Sequence, residues 1–377
     1  MIRPAAAIAL MGLVLAGLAA GSRAQTPPPS RRGADPPRAA SGEGAPPVIL
    51  VTVDGVRYRE VFTGLDPGLA RAPTPGGDVL LPRLRQRAAR EGFLAGDADR
   101  GDPFAVRNLA ACSLPGYQSI LAGRDLGCWD NRCGRIRVET VLERARRALG
   151  LETREVAVFA SWPEIALAVA HDERNLIVNV ASEPFWPTGK PDAAVEELLR
   201  AEREDRPPWR YRRDRYTWAL AMRYLETFRP RVLYVGLGDP DEWAHRGDYA
   251  AYTASVRELD ARLEDLFQRL GAMGDYGAGA SVLVTTDHGR GSGADWTKHG
   301  FWHPGSHRAW LFASTPATRA APGRPGGGRY DHLSIRPTIE GLLGLAACDG
   351  CEAPIAELLS PGAAGRPEAV TYAGGGP

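Results

Sequence analysis

The chain has 377 residues, 44% of them hydrophobic, and 46 Lys and Arg against 45 Asp and Glu give a formal net charge of +1 at pH 7. A length of this order builds one large domain, or one domain carrying an inserted cap. Near-balanced charge without a concentrated basic face argues against a nucleic-acid polymer as partner, and the arginine-rich stretch at 210–215 reads as a solvated helix or loop face.

Residues 1–24 read as an export signal. Arg3 gives a positive start, Ala5 to Ala20 form an apolar core, and Ser22-Arg23-Ala24 fits a small-residue cleavage site. That core is too short and wrongly flanked for a stable membrane span, and no Cys follows it to carry a lipid. Residues 25–47, rich in Pro, Arg, Ser and Gly, read as a disordered linker. A periplasmic or secreted protein is therefore expected, with its catalytic domain at 48–377.

The body opens with a strand, Val48–Val53, that runs into Asp54-Gly55. An apolar helix is expected directly after Ser113 and another over Val138–Leu149. Strands are expected at Val156–Ala160 and Leu176–Val180. Residues 181–215, rich in Pro, Trp, Arg and Glu and poor in regular period, suggest a lid or small insertion as readily as a surface excursion. A strand at Val232–Leu237 leads to Asp241 and His245. The stripe Tyr252, Val256, Leu259, Leu263, Leu266 and Leu270 marks an amphipathic helix over 248–270. A strand at 281–286 delivers Asp287-His288-Gly289, a further one is expected at Ala309–Ala313, and a packing helix at Pro337–Leu343 precedes a fraying tail. This alternation is that of a mainly parallel α/β sheet with helices on both faces.

Of five Cys, Cys128 with Cys133 and Cys348 with Cys351 are close enough for local disulfides, a structural zinc site being the competing reading. Cys112 is left as a free thiol beside Ser113.

Three apolar runs that end in Asp and His would bring metal-binding groups to one sheet edge, where open α/β sheets bind ligands. Asp241 and His245 stand one helical turn apart, a spacing shared with ordinary caps and surface pairs. Asp287-His288 directly after a strand is the stronger signal, and His299-Gly300 follows a short Gly-rich loop. Asp54, Asp241, His245, Asp287, His288 and His299 together suit zinc at two neighbouring sites with open positions. Two such ions hold the attacking and leaving oxygens of an in-line phosphoryl displacement. Ser113, at the start of its helix, is the candidate nucleophile; local sequence alone would make it a helix cap.

In these motifs the chain resembles the alkaline phosphatase superfamily, in particular its nucleotide pyrophosphatase/phosphodiesterase-like members, from Val48 to about Leu345. Asp54 matches the metal-ligand Asp after the family's first strand, and Ser113, Pro115 and Gly123 match its nucleophile element. Pro240-Asp241-Glu242-Trp243-Ala244-His245 matches Pro-Asp-x-x-Gly-His with Ala for Gly. Asp287-His288-Gly289 and His299-Gly300 complete the set. The resemblance implies one zinc on Asp241, His245 and His299, and another on Asp54, Asp287 and His288 with Ser113 Oγ. It implies a covalent phosphoserine, and a small-molecule phosphate mono- or diester as substrate. Asn131, in Gly127-x-x-x-Asn131 after a shortened loop, stands for the family's Asn on a nonbridging phosphoryl oxygen.

The departures bear on substrate. Gly116-Tyr117 replaces the Asn-His common in diesterases. Sulfatases need an Arg where Tyr117 stands, and Cys112 is one residue out of register for a formylglycine precursor. A sulfatase is thus a minor reading, and a phosphomutase or phosphotransferase the main alternative, with a non-catalytic zinc- or sugar-binding module behind both. His303 and His307 would line the entrance or remain loop residues, and His171 and His332 are surface or packing residues. Lys298 reads as solvated, and Arg57 as an ion pair or a substrate clamp. Trp186, Trp209 and Tyr211 would stack on an aromatic leaving group or form lid core.

Overall fold

The computed structural model describes Gly44 and residues 46–71, 79–180, 186, 191–205, 207–209, 211–321 and 330–360. The chain divides into Met1–Arg38 and Ala39–Pro377; the first unit, and with it the export signal, lies outside the described residues, as do most of the linker and the C-terminal tail. No helix among the described residues is long and apolar enough to cross a membrane.

The strands are β1 (Val48–Val53), β2 (Phe93–Ala95), β3 (Phe104–Ala105), β4 (Val156–Ala160), β5 (Ile177–Val180), β6 (Val232–Leu237), β7 (Ser281–Thr285), β8 (Arg308–Ala309), β9 (Leu311–Ser314) and β10 (Tyr330–Asp331). Seven form the main sheet in the order β2-β9-β7-β1-β6-β4-β5, and β10-β3-β8 form a small second one. Within the main sheet β5, β4, β6, β1 and β7 run parallel, while β9 is antiparallel to both β7 and β2. The expected run at 309–313 breaks at the buried Trp310, because Ala309 pairs with Phe104 of the small sheet and Leu311 with Thr285 of the large one.

Every residue of β1 is buried, as suits a parallel strand covered on both faces. Its alternation divides the core: Ile49, Val51 and Val53 join one cluster, Val48 and Leu50 the other. On the first face lie the helices Pro82–Glu91, Ala193–Glu204, Asp214–Phe228 and Tyr249–Gly271, whose predicted stripe from Tyr252 to Leu270 is buried throughout. On the second lie Ser113–Ala122, Val141–Leu149 and Ile335–Leu342. The Val141–Leu149 helix begins three residues later than its apolar pattern, where Thr140 and Glu143 close a capping box.

The segment 181–215 is more regular than its composition suggests. Asp192 caps the Ala193–Glu204 helix, which buries Val195 and Leu199, and the next helix starts at Asp214. In 211–215 the expected solvated face holds only in part: Arg215 is exposed, whereas Arg212 is buried and bonded to Glu202 and Asn179; Arg210 lies outside the described residues. Cys128–Cys133 and Cys348–Cys351 are disulfides and Cys112 is free.

Candidate metal centre

β1 lies between β6 and β7, parallel to both, with Val53 beside Leu237 and Thr52 beside Thr285. The residues that follow these strands therefore emerge at one edge of the sheet. After β6 the chain turns into the helix Asp239–His245, with Pro240 in its first turn. One turn apart, His245 Nε2 and Asp241 Oδ2 lie at 2.9 Å. Asp214 anchors the start of this helix: its carboxylate accepts from the Gly238 and Asp239 amides and from Ser161 Oγ, while Asp239 accepts from the Asp214 amide. Burial, with the charge of Asp214 next, pushes Asp239 up to about 8.

Ser113 is the first residue of its helix and is buried. The chain reaches it through Ala111, a non-glycine residue in left-handed backbone (φ 45°) whose amide donates to Asn108 Oδ1 at 2.8 Å. Such strain persists only where the surroundings hold it, and it aims Ser113 Oγ at His288 Nε2, 3.3 Å away. Asn131 comes to the same place: its Oδ1 accepts from the Leu114 amide at 2.9 Å, leaving the NH2 as the end with donors to offer. Gly116 is there for closeness, since a Cβ on it would stand 2.6 Å from the Asp287 carbonyl oxygen. Gly116→Ala should force the helix off the strand end and cost about 1–3 kcal/mol, read as a lower thermal midpoint together with weakened metal binding.

His288 Nε2 is the meeting point of the first donor set, 3.3 Å from Asp54 Oδ1 and 3.4 Å from Asp287 Oδ2. Its Nδ1 lies 2.8 Å from the Gly289 carbonyl oxygen, which places the ring proton there and the lone pair on Nε2. The second carboxylate oxygens are occupied: Tyr117 OH donates to Asp54 Oδ2 at 3.0 Å and the Gly55 amide to Asp287 Oδ1 at 3.1 Å. Asp54 Oδ1 and Asp287 Oδ2 are buried without a hydrogen-bonding partner. Burial, then the charge of Asp241, lifts the Asp54 carboxyl well above its usual range, and burial, then Asp54, does the same to Asp287. Two crowded carboxyl groups with orphaned oxygens beside an imidazole lone pair fit a divalent cation.

The second set is Asp241, His245 and His299. His299 Nε2 lies 3.1 Å from His245 Nε2, and its Nδ1 is turned to the Ala111 carbonyl oxygen at 3.4 Å. The His299 ring stacks on His288 at 4.0 Å between centroids, and burial, reinforced by His288, pushes it down to about 2, so it is neutral and able to bind a metal. Donor atoms of Asp241, His288 and His299 fall within 4.8 Å of one another, as do those of Asp54, Asp287 and His288. His288 thus stands between the two sets rather than wholly in one.

Arg290 escaped the sequence reading. Fully buried, it donates to Asp241 Oδ1, lies 3.4 Å from His245 Nδ1, and is fixed by the carbonyls of Trp296 (3.0 Å) and Thr297 (2.5 Å). Burial alone would raise Asp241; the guanidinium, with His245 and His299, holds it well below the usual carboxylate range. The available signal was an Arg directly after Asp287-His288-Gly289, where a strand end leaves little room for an unpaired charge.

Other candidates fall outside the cluster. Arg57 is a buried ion pair with Glu60, not a substrate clamp. Lys298 pairs with Asp295 on the surface, and His307 Nε2 lies 3.3 Å from the Phe301 carbonyl oxygen in a loop that His303 caps. His171 is exposed; His332 is deep packing beside Phe104, driven down to about 3 by burial. Cys112 turns Sγ to the Ala110 carbonyl oxygen, and burial, then Asp287, lifts its thiol to about 11. Trp186 packs on Tyr224 and Phe228, Trp209 on Trp243, and Tyr211 bonds Glu242, so these aromatics bind the segment to the body.

Comparison with known proteins follows the same lines. A family model described as the Metalloenzyme superfamily matches residues 219–301, which include Asp241, His245, Asp287, His288 and His299 but neither Asp54 nor Ser113. Among curated proteins, a 2,3-bisphosphoglycerate-independent phosphoglycerate mutase of Haloquadratum walsbyi is 33% identical over 69 residues, 18% of this chain and 13% of that protein. The chain thus matches only a small part of that relative's length. Among solved structures, the phosphonate monoester hydrolase of Agrobacterium radiobacter superposes with a TM-score of 0.56 at 15% identity, over 84% of this chain and 78% of its own. A phosphonate monoester hydrolase of Silicibacter pomeroyi (0.52, 13%, 82% and 75%) and a 2-O GAG sulfatase (0.51, 12%, 82% and 73%) share the fold. The chain thus has an alkaline phosphatase-like fold, and its stretch 219–301, which holds five of the candidate ligands, matches the Metalloenzyme superfamily.

Proposed function

We propose that the protein is an exported hydrolase of phosphoric esters that works through a covalent phosphoserine at Ser113. The observation that carries this reading is the meeting of Ser113 Oγ with His288 Nε2 at 3.3 Å, beside the orphaned oxygens of Asp54 and Asp287. Asp54, Asp287 and His288, with Ser113, would hold one zinc, and Asp241, His245 and His299 a second. Bound there, the ions supply Lewis-acid activation of the serine hydroxyl and charge neutralisation at the leaving oxygen.

The chain's own groups do the rest. Ser113 Oγ forms the new bond to phosphorus as the bond to the ester oxygen breaks, and the proton that Ser113 gives up leaves on that oxygen with the departing alcohol. Water then attacks phosphorus and Ser113 leaves as the free hydroxyl. The Asn131 amide, oriented by the Leu114 N–H, offers its NH2 to a nonbridging oxygen, and the first turn of the buried Ser113–Ala122 helix favours the same negative charge. The sulfatase alternative loses support at Tyr117, whose hydroxyl is spent on Asp54, and at Cys112, which faces Ala110. Two disulfides agree with an oxidising compartment.

Metal analysis of the purified protein should return two zinc ions per chain. Turnover of aryl phosphate and aryl phosphodiester should disappear with a chelator and return with zinc, and the ratio of kcat/KM for the two esters separates monoesterase from diesterase. An aryl sulfate turned over faster than both, or phosphoryl transfer to an added alcohol in place of hydrolysis, would overturn the reading.

A further inference from the structure

Five large hydrophobic side chains are exposed among the described residues, and four of them gather on the loops that carry the candidate chemistry. Trp302 is 85% exposed, Trp129 58%, Leu109 54% and Phe301 43%; Val79 is the fifth. Phe301 and Trp302 follow His299 and Gly300 directly. Trp129 stands two residues before Asn131 in the Cys128–Cys133 disulfide loop, and Leu109 two before Ala111.

These loops converge in space as well. Asn131 bonds the Leu114 amide, and His299 Nδ1 faces the Ala111 carbonyl oxygen. A Cβ on Gly300 would lie 3.7 Å from the Ala110 carbonyl oxygen and 3.9 Å from Cys112 Sγ. The rings meet edge to face, Trp129 with Phe301 at 6.1 Å and Phe301 with Trp302 at 4.8 Å. The Gly300–His307 loop beneath them is braced: the Gly300 amide donates to Ser306 Oγ and the His303 amide to the Gly300 carbonyl. Rings held in water without a polar partner favour a planar apolar ligand.

We infer that Trp129, Phe301 and Trp302 form a subsite for an aromatic leaving group of the ester. This rests on the reading of Ser113 as nucleophile. An in-line displacement sends the leaving oxygen away from Ser113, to the side held by Asp241, His245 and His299. Gly300 and Phe301, where the rings begin, directly follow His299 of that set. Trp186 and Trp209 of segment 181–215 are instead packed against Tyr224, Phe228 and Trp243.

Phenylphosphonate and methylphosphonate share a headgroup and differ in the ring, so the ratio of their Kd values on the zinc-loaded protein isolates the subsite. Wild type should bind phenylphosphonate roughly tenfold to hundredfold more tightly. The ratio should fall close to one in the Phe301→Ala/Trp302→Ala double variant, fall in part in Trp129→Ala, and persist in Trp302→Phe. Circular dichroism of each variant checks the fold. A wild-type ratio near one, or a ratio unchanged in the double variant, overturns the subsite; self-association of wild type that the double variant abolishes would do so by making the patch a contact between copies. Turnover of an aryl phosphate by wild type is measured in parallel: its absence counts against the ester-hydrolase reading, whereas turnover with an insensitive ratio counts against the subsite alone.

Discussion

Ser113→Ala should lower kcat on any ester the protein turns over by about 10³-fold or more, equivalent to about 4 kcal/mol of transition-state stabilisation, with its metal content unchanged. Ser113 is one donor in a group that keeps Asp54 Oδ1, Asp287 Oδ2 and His288 Nε2. It is the first helical residue and not the cap, so alanine there removes no capping bond. A folded, metal-loaded and inactive variant is therefore the expected product. Elemental analysis, circular dichroism and a trap for phosphorylated protein check its three parts. Ser113→Thr keeps the hydroxyl in a buried position and should retain part of the activity. Full activity in Ser113→Ala would remove Ser113 from the mechanism, and loss of metal along with activity would make it mainly a structural ligand.

The strands that carry the candidate ligands were legible because parallel strands buried on both faces are written as unbroken apolar runs, and Val48–Val53, Val232–Leu237 and Ser281–Thr285 are such runs. Their adjacency was not. Nothing local to β1 says that β6 and β7, far along the chain, flank it; that expectation rested on the resemblance and on the general behaviour of open α/β sheets. Partners that arrive from other elements were hidden for the same reason. In sequence Tyr117 is only a departure from the Asn-His of diesterases and the Arg of sulfatases, yet its hydroxyl fixes the orientation of Asp54. Asn131 was placed as a phosphoryl ligand, and its link to Leu114 shows how the amide is held.

In residues 181–215, Arg, Glu and Pro obscured a helix whose large apolar residues are Val195, Leu198 and Leu199. The aromatic rim was invisible in sequence because it is assembled from two loops some 170 residues apart, and each ring taken alone is an ordinary exposed side chain.

Arg290→Met should show how much of the charge balance in the centre is carried by the protein. With Arg290 present, Asp241 is paired before any ion arrives. Its loss leaves a buried carboxylate facing the raised carboxyl groups of Asp54 and Asp287, a change that costs about 3–5 kcal/mol when a buried pair is broken. The zinc-free variant should therefore melt several degrees below the zinc-free parent. A divalent ion and a guanidinium on the same carboxylate repel one another, so removing one raises the stabilising value of the other. Zinc should accordingly recover much of the lost stability, and the gap in thermal midpoint between loaded and metal-free protein should be wider in Arg290→Met than in wild type. Methionine preserves apolar bulk at the site, which limits the cavity contribution, and Arg290→Lys retains a charge but not the fork that reaches Asp241 together with the carbonyls of Trp296 and Thr297. An equal loss of stability with and without zinc would reduce Arg290 to a packing residue. A widened gap would make it the cation that stands at the Asp241 position while the ion is away.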